Sequence, residues 1–491
     1  MRQGQLYING KFVNSTSRKT FISLNPATAK PFGIYQAGNK SDVDSAVQAA
    51  KKALPSWKKA PAPKRAEILF EISRLLKKNK ERLAKTMVLE MGKVLKECKG
   101  DVQEAIDIFE YMAGEGRRLF GHTTPSELKN KFCMSIRMPV GVVGLITPWN
   151  FPIAIPAWKL APALICGNTC VWKPSSDTPG CAVELIKIIK QAGLPKGIVN
   201  LVTGSANEVG NPIVKHQDIR GISFTGSVET GKFITANAGL KKIGLELGGK
   251  NAIIAMDDAD LDLALDGIIW GAFGTTGQRC TAASRVIVHK KIKKELEEKL
   301  VKKTEKLRLG SGLKETTDIG PLINKSALEK SEYYTALGKK QKARLLCGGK
   351  AIEGAGFFFK PTVFSQVKPN MKIAQEEIFG PIVSLITVKN LSEAIKVCNG
   401  IQYGLSSAIY TNNIKNAMIA IEEIEAGITY VNSSTIGAEV HLPFGGVKNT
   451  GHGREAGPEG INEFSEIKTI YIDYSGKLQK AQSIDLGRRE S

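Results

Sequence analysis

The chain has 491 residues, of which 42% are apolar and 24% charged, with eight cysteines and a formal net charge of +22. This length exceeds one ordinary core, so at least two domains are expected, and the composition is that of a soluble globular protein. The cysteines lack the spacing of a disulfide framework, and the close pair Cys166 and Cys170 has no second Cys or His pair beside it. We therefore expect free thiols, no metal site and a cytoplasmic protein.

The positive charge by itself would suggest a nucleic-acid partner. Between residues 290 and 308, however, lysines alternate with glutamates at helical spacing, and no RNA-recognition or zinc module is apparent. The longest uncharged run, 138–158, carries four prolines and Asn150, which favours a buried strand and loop over a membrane span. These patterns predict a solvated basic surface that attracts anionic ligands, with no nucleic-acid or membrane partner.

The N-terminal part of the chain shows three kinds of pattern. Short strands joined by turns are predicted up to about residue 38, and apolar residues at helical spacing predict helices from Asp42 to Gly114. A polar connection and an extended piece follow over 115–138.

From residue 139 onward, short apolar runs alternate with helical patterns of about 10 to 15 residues. A first alternating block ends near Gly248, and a second ends in a glycine-rich loop, 442–455. This alternation is typical of an α/β fold with mostly parallel sheets covered by helices on both faces. A strand-like run near 467–474 precedes a polar tail, and such a strand either rejoins the body or pairs with another subunit.

Three residues far apart in the sequence carry the groups that acyl chemistry needs. Cys280 lies in a glycine-broken loop just after an apolar helical pattern, 261–273, where a thiol can be near water and backbone N–H groups. Glu246 offers a general base and Asn150 an oxyanion donor. A packing thiol, a strand-capping carboxylate and a turn amide remain the alternative interpretations of these residues.

A phosphate-binding turn is suggested where a predicted strand runs into Gly226-Ser227 and then a helix containing Gly231. The spacing is neither that of the dinucleotide fingerprint nor that of a complete P-loop, so the turn alone is a weak signal. Lys173 adds a cation at the carboxyl edge of the predicted sheet, where nucleotides bind in open α/β folds.

Seven sequence blocks together resemble the NAD(P)-dependent aldehyde dehydrogenase superfamily over nearly the whole chain. In order they are TPWNFPIAIPAWKLAPAL, WKPSSDTP, FTGSVETG, LELGGKN, GQRCT, EEIFGP and LPFGGVKNTGHGRE. The resemblance implies a Rossmann-type cofactor domain (1–120 and 139–247), an α/β catalytic domain (248–448) and a β oligomerisation element (121–138 with the tail 449–491). It also implies a homo-oligomer, either a dimer or a tetramer.

The resemblance further implies the role of each matched residue. Cys280 would be the nucleophile, Asn150 with the Cys280 N–H the oxyanion donors, and Glu246 the base that activates water. The positions that match cofactor contacts are Thr147, Pro148, Trp149, Lys173, Ser175, Ser176, Phe224, Gly226, Ser227, Leu247, Gly248, Glu377 and Phe379. The positions that match the aldehyde pocket are Asn150, Phe151, Trp158, Arg279, Thr281 and Phe444.

One departure from the family pattern concerns the cofactor. NAD-preferring members have a glutamate three residues after the lysine that matches Lys173, and here that residue is Ser176. Without this carboxylate nothing repels a 2′-phosphate, so we expect NADP to be preferred, with NAD possible.

The substrate expected from these motifs is a small hydroxylated aldehyde such as glyceraldehyde. The alternatives are succinic semialdehyde, 2-oxoglutarate semialdehyde and glyceraldehyde 3-phosphate, and the absence of arginine in the GAEVHL segment (437–442) speaks against the phosphorylated one. A CoA-acylating enzyme is a competing interpretation, disfavoured by the presence of Glu246. A second competing interpretation is a non-enzymatic relative of these enzymes, which is disfavoured because Cys280, Glu246 and Asn150 are all present.

Overall fold

The structure is a computed structural model that describes residues 2–480; part of the tail assigned to the oligomerisation element, 481–491, lies outside the described residues. Residues 2–115 form five strands followed by four helices. The strands are β1 (Arg2–Gly4), β2 (Leu6–Ile8), β3 (Lys11–Val13), β4 (Thr20–Asn25) and β5 (Lys30–Gln36). The helices are α1 (Lys40–Lys59), α2 (Ala62–Lys78), α3 (Lys80–Met91) and α4 (Leu95–Glu115).

Local sequence explains several of these helix ends. Asn39 and Asp42 form a capping box at the start of α1, where each side chain accepts from the backbone N–H of the other residue. Helix α3 ends at Gly92, whose φ of 97° is left-handed and therefore suits glycine. The predicted helical region is thus four separate helices.

Residues 123–246 alternate between strands and helices. The strands are β6 (Thr123–Thr124), β7 (Lys131–Pro139), β8 (Val142–Ile146), β9 (Thr169–Lys173), β10 (Val199–Leu201), β11 (Gly221–Thr225) and β12 (Lys242–Glu246). The helices are α5 (Ala154–Ile165), α6 (Pro179–Gln191), α7 (Asn211–Lys215) and α8 (Val228–Asn237), with a π-helical turn at Ala206–Gly210.

The remainder of the described chain repeats this alternation. The strands are β13 (Asn251–Ala255), β14 (Ala283–His289), β15 (Arg344–Cys347), β16 (Thr362–Ser365), β17 (Ile382–Val388), β18 (Tyr403–Gly404), β19 (Ser406–Tyr410), β20 (Ile428–Val431), β21 (Val447–Lys448), β22 (Gly451–His452) and β23 (Ser465–Asp473). The helices are α9 (Leu261–Phe273), α10 (Lys293–Glu305), α11 (Lys325–Lys340), α12 (Lys372–Gln375), α13 (Leu391–Asn399), α14 (Ile414–Glu423) and α15 (Glu459–Glu463), with a 3₁₀ turn at Gly274–Gly277.

Two large sheets form the body of the molecule. The first has the order β22-β12-β11-β8-β9-β10-β2-β3, and its five strands from β12 to β10 run parallel. The second has the order β15-β16-β17-β14-β13-β19-β20 and is parallel except for β15. The predicted α/β fold with mostly parallel sheets is confirmed.

A small sheet brings the end of the described chain back to its middle. Strand β23 pairs antiparallel with β7 along nine residues, from Ser465 opposite Pro139 to Asp473 opposite Lys131. Strand β6 adds to the other side of β7, so one edge of β23 has no partner strand within residues 2–480.

Candidate functional site

The carboxyl edge of the first sheet collects several of the predicted site residues. Strands β12, β11, β8 and β9 are neighbours in that sheet. Strand β12 ends at Glu246 and β9 at Lys173. Strand β11 ends just before Gly226, and β8 ends just before the 147–150 segment. Because parallel strands end at the same edge, these residues lie in one row although they are distant in the sequence.

The amino edge of the second sheet supplies the other half of the site. Leu247–Lys250 links β12 to β13, the 274–282 loop enters β14, and the 376–381 segment enters β17. The two sheet edges therefore meet across a cleft, and Cys280 lies within that cleft.

The loop that carries Cys280 is strained and held by several contacts. Thr275 and Thr276 have φ values of 51° and 59°, which β-branched residues rarely adopt. Thr275 N donates to the Glu97 carboxylate (2.9 Å), and Thr276 Oγ1 donates to the Gly320 carbonyl (3.0 Å). Buried Gln278 accepts from Ile323 N at 2.9 Å. These contacts fix the backbone two residues before the thiol.

Cys280 is only partly exposed, and its backbone carbonyl accepts from Asn251 Nδ2 at 2.6 Å. The pKa of Cys280 is raised to about 12, chiefly by burial and also by the charges of Glu246 and Glu377, while the Thr281 N–H acts to lower it. In this structure the protonated thiol is favoured, chiefly because the thiol is buried and also because two carboxyl groups lie nearby.

One cavity, which we call the Cys280 cavity, opens beside the thiol. Cys280 and Glu246 line it, as do all the predicted aldehyde-pocket residues except Asn150, namely Phe151, Trp158, Arg279, Thr281 and Phe444. Trp158 and Phe444 meet edge to face, with ring centroids 5.1 Å apart. Leu247, predicted as a cofactor contact, also lines this cavity, and the lining residues that sequence reasoning missed are Glu104, Ile155, Thr225, Ile436, Gly437, Ala438 and Glu455.

Arg279 brings a cation to the wall of this cavity. Its guanidinium group lies 5.2 Å from the Phe151 ring centroid and 4.9 Å from that of Trp270. Arg279 Nε donates to Thr275 Oγ1 (2.9 Å), and Nη2 lies 3.5 Å from the Glu97 carboxylate. A guanidinium group has five N–H donors, so these two contacts leave donors available to a ligand.

Glu246 lies at the inner wall of the cavity and is 5% exposed. Burial and the neighbouring Glu455 raise its pKa well above the ordinary value, whereas Lys159 and Arg454 lower it. Lys159 pairs with Glu455, and neither residue was predicted from the sequence. Within residues 2–480, Glu246 Oε2 has no hydrogen-bond partner, so a buried carboxylate oxygen is free to act on a ligand.

A second concavity, which we call the Trp149 groove, meets the first at Cys280, Thr225 and Leu247. It is lined by Asn150 and by eight of the residues predicted to contact the cofactor, which are Pro148, Trp149, Gly226, Ser227, Leu247, Gly248, Glu377 and Phe379. The Trp149 and Phe379 rings meet edge to face at 5.5 Å, and Phe379 has a left-handed φ of 59°. Asn150 therefore shares a groove with Cys280.

Glu377 is anchored at the junction between the sheets. Its Oε1 accepts from Gly249 N at 2.9 Å, and a Cβ on Gly248 would lie 2.3 Å from its Oε2. Any side chain at position 248 would therefore displace the Glu377 carboxylate from this close approach. Lys330 of α11 also lines the groove, and it was not predicted because α11 has no recognisable motif.

The remaining predicted cofactor residues lie beside or beneath the groove. Thr147 is buried and its hydroxyl accepts from Trp172 Nε1 (2.9 Å), and buried Phe224 underlies Gly226. Lys173 is buried and donates to the Pro174 carbonyl, and burial lowers its pKa to about 8.

Ser175 and Ser176 follow Lys173 at the carboxyl end of β9. Ser176 Oγ donates to the Gly204 carbonyl at 3.0 Å, and Ser175 Oγ contacts Asp177 at 3.2 Å. Asp177 is close enough to Lys173 for its charge to act to raise the pKa of that lysine, and its carboxylate oxygens accept from Ser175 and Asn324.

The Asn150 segment rests on a buried ion pair. Lys93 Nζ lies 2.7 Å from Asp101 Oδ2 with both side chains 0% exposed, and it also donates to the Asn150 carbonyl at 3.0 Å. Asn150 Nδ2 donates to the Gln278 carbonyl at 3.1 Å, which leaves its second N–H available.

The described residues contain no cluster of His, Cys, Asp and Glu that could hold a metal ion. None of the helices in this same part of the chain combines the length and apolar character that a membrane crossing needs.

The sequence profile of the aldehyde dehydrogenase family matches residues 12–470. An alpha-ketoglutaric semialdehyde dehydrogenase of Bacillus subtilis (strain 168) is 41% identical over 474 residues, covering 95% of this chain and 97% of the relative. Retinaldehyde dehydrogenase 3 of Mus musculus is 40% identical over 480 residues, covering 96% of this chain and 93% of the relative.

A similar solved structure is betaine aldehyde dehydrogenase from Staphylococcus aureus in complex with NAD⁺. It has a TM-score of 0.95 and 35% identity, with 98% of each chain covered. The protein belongs to the aldehyde dehydrogenase family and is an NAD(P)-dependent oxidoreductase. The predicted resemblance is thereby confirmed. Relatives with different substrates have nearly the same identity, so the choice of aldehyde must be argued from the cavity.

Proposed function

We propose that this enzyme oxidises short semialdehydes of dicarboxylic acids, such as 2-oxoglutarate semialdehyde and succinic semialdehyde, to the corresponding acids. The observation that carries this proposal is the Arg279 guanidinium in the wall of the Cys280 cavity, next in sequence to the nucleophile. A guanidinium group binds carboxylate through charge-assisted hydrogen bonds, and contacts with the Phe151 and Trp270 rings help to hold it in place. The alpha-ketoglutaric semialdehyde dehydrogenase relative supports the same substrate class.

In the first half of the reaction the Cys280 sulfur attacks the aldehyde carbon and forms a thiohemiacetal. Its proton passes to a base first, because burial favours the protonated thiol. Glu246 lines the same cavity and is placed to accept that proton. The free N–H of Asn150 and the Cys280 backbone N–H would stabilise the negative charge that develops on the aldehyde oxygen.

When bound, the nicotinamide supplies the acceptor for the hydride that leaves the thiohemiacetal carbon. Trp149, Phe379 and Glu377 would hold it, because they line the groove that meets the cavity at Cys280. Ser227 lies at the amino end of α8, where backbone N–H groups favour the pyrophosphate.

Before the second half of the reaction, the proton that Glu246 took from Cys280 passes to solvent. Glu246 then removes a proton from water, and the resulting hydroxide attacks the Cys280 thioester. The carbon–sulfur bond breaks, the carboxylic acid product is released, and the proton held by Glu246 returns to the thiolate. A buried carboxylate with a raised pKa suits this base role because its driving force for proton abstraction is larger. The same base argues against transfer of the acyl group to CoA.

NADP is proposed as the preferred cofactor. This proposal is supported by two residues at the carboxyl end of β9. Ser176 stands where NAD-preferring family members have a carboxylate, and Lys173, the last residue of β9, provides a cation nearby. A 2′-phosphate beside Lys173 would raise its pKa and hold it protonated.

The test is a panel of kcat/KM values for 2-oxoglutarate semialdehyde, succinic semialdehyde, glyceraldehyde and butyraldehyde, each with NADP and NAD. We expect the two carboxylate-bearing substrates with NADP to give the highest values. Arg279→Met should lower their kcat/KM about 10- to 100-fold, since a charge-assisted hydrogen bond is lost, and should change butyraldehyde little. Cys280→Ser is the inactive control. Equal losses for all four aldehydes would contradict the assignment of Arg279.

Glyceraldehyde is a second candidate. The observation in its favour is Glu104, a carboxyl group in the wall of the same cavity that would accept hydrogen bonds from substrate hydroxyls. A kcat/KM for glyceraldehyde above that for both semialdehydes would make it the principal substrate.

We also propose a homo-oligomer that forms through β23. This strand carries exposed apolar side chains beside the edge that has no partner strand among residues 2–480, with Ile467 57%, Tyr471 66% and Ile472 47% exposed. Exposed apolar edge strands are templates for pairing with another chain. Light scattering should give a dimer or tetramer for the wild type and a smaller species for Ile467→Glu.

A further inference from the structure

Glu104 of α4 is a carboxyl group in the wall of the Cys280 cavity that the reaction does not use. It lines the cavity together with Phe151, Ile155 and Trp158. Its side chain makes no ion pair or hydrogen bond with any residue between 2 and 480. A half-buried carboxyl group without a protein partner, in the wall of a substrate cavity, is placed to interact with the substrate.

The charges around Glu104 come from three parts of the chain. Asp101 and Asp107 lie on its own helix, Lys93 lies just before that helix, and Arg279 lies on the Cys280 loop. The pKa of Glu104 is raised to about 7, chiefly by burial and also by Asp101, whereas Arg279 and Lys93 act to lower it.

The other elements around the cavity complete this electrostatic setting. Helix α5 contributes the apolar side chains of Ile155 and Trp158, while Cys280, Glu246 and Glu455 line the same cavity. Lys93 is paired with Asp101, so among residues 2–480 the cation in the cavity wall beside Glu104 is Arg279, which also lies 3.5 Å from the Glu97 carboxylate.

We propose that Glu104 determines substrate specificity. Its protonated form admits aldehydes with a carboxylate tail, and its ionised form favours neutral hydroxylated aldehydes. A protonated Glu104 donates an O–H to the tail and adds no negative charge beside Arg279, whose contact with the Glu97 carboxylate is unchanged. An ionised Glu104 repels a carboxylate and weakens its attraction to Arg279, but accepts hydrogen bonds from hydroxyl groups. This inference rests on the proposed function, in which Arg279 binds the tail.

The test is the ratio of kcat/KM for succinic semialdehyde to that for glyceraldehyde, measured from about pH 6 to about pH 9. Ionisation of Cys280 or Glu246 affects both substrates and cancels in the ratio, and the succinic semialdehyde carboxylate stays ionised throughout. We expect the wild-type ratio to fall about tenfold as pH rises, the factor that corresponds to ~1.4 kcal/mol of charge repulsion. Glu104→Gln should hold the ratio at its high, low-pH value at every pH.

Glu110→Gln, an exposed carboxylate on the same helix, is the matched control and should retain the wild-type slope. A pH-independent ratio in the wild type, or a slope that persists in Glu104→Gln, would overturn the role of Glu104 while leaving the proposed function intact. Failure to turn over succinic semialdehyde at any pH would overturn both. The wild-type slope decides the matter even if the variant does not fold.

Discussion

The Lys159 ammonium group donates to the Glu455 carboxylate at the inner wall of the Cys280 cavity, and these side chains are 0% and 9% exposed. Lys159 also donates to Ser223 Oγ at 2.8 Å. Both charges act on Glu246 with opposite signs, because Glu455 raises its pKa and Lys159 lowers it. The pair therefore tunes the base that we propose activates water.

Replacement of Glu455 with Gln should extend thioester hydrolysis to lower pH. Removing a negative charge beside Glu246 lowers its pKa, and the uncompensated Lys159 lowers it further, so the base stays ionised in more acidic solution. We expect the acidic limb of the single-turnover hydrolysis rate to move down by about one pH unit. Glu439→Gln, whose side chain is 65% exposed, should leave the limb in place. A limb that moves to higher pH would contradict this electrostatic coupling.

Replacement of Ser176 with Glu should turn the cofactor preference toward NAD. The new carboxylate would lie at the end of β9 near Lys173, where it accepts from a ribose 2′-hydroxyl but repels a 2′-phosphate. We expect the ratio of kcat/KM for NADP over NAD to fall at least about tenfold. Ser175→Glu, one residue away, is the positional control. An unchanged ratio would show that the 2′-phosphate is recognised elsewhere.

Replacement of Lys93 with Met should destabilise the protein strongly. The Asp101 carboxylate would be left buried without its cation, and the Asn150 carbonyl would lose its donor. Breaking a buried ion pair in this way costs ~3–5 kcal/mol. Urea unfolding should show this loss, and Lys96→Met, at an exposed position, should not. The double variant Lys93→Met/Asp101→Asn should recover part of the loss, since no unpaired charge remains.

The stability contribution of Glu90 should decrease as pH rises. Glu90 is fully buried and accepts from Gly180 N and Cys181 N, both at 2.7 Å, at the start of α6. Burial raises its pKa to about 7, whereas an unfolded Glu titrates near ~4.3. Folding therefore takes up a proton between these values, so the contribution is fully present below ~4.3 and is lost as pH rises through about 7.

The measurement is urea unfolding of the wild type and Glu90→Gln at several pH values. The variant should be less stable at pH 5, because the Gln amide faces one N–H without accepting from it, at a cost of ~1–3 kcal/mol. The difference between the two proteins should shrink toward pH 8. Glu67→Gln, exposed on α2, should show no such trend. A stability difference between wild type and Glu90→Gln that grows with pH would contradict the predicted direction.

Local sequence was enough to predict the features that depend on neighbours along the chain. The alternation of apolar runs indicated the α/β fold, because strand and helix periodicities are local properties. The motifs around Asn150, Glu246 and Cys280 indicated the family, because their residue order is itself the signal. All three residues line the connected cavity and groove.

Residues that act through space were beyond the reach of the sequence. Lys159 and Glu455 are separated by almost three hundred positions, and they meet only because α5 packs against the chain after β22. Glu104 and Lys330 lie on ordinary amphipathic helices, so nothing local marks them as lining residues. The state of the Cys280 thiol was likewise unpredictable, since its pKa depends on burial and on carboxyl groups from two other segments.

By itself, then, the sequence determined which chemical groups this enzyme has and in what order they occur, because reactive side chains and strand–helix alternation are written along the chain. Only the tertiary structure decided which charges face Cys280 and its cavity. Burial and Coulomb interactions depend on distances in space, and those distances exist only once the two sheet edges have come together.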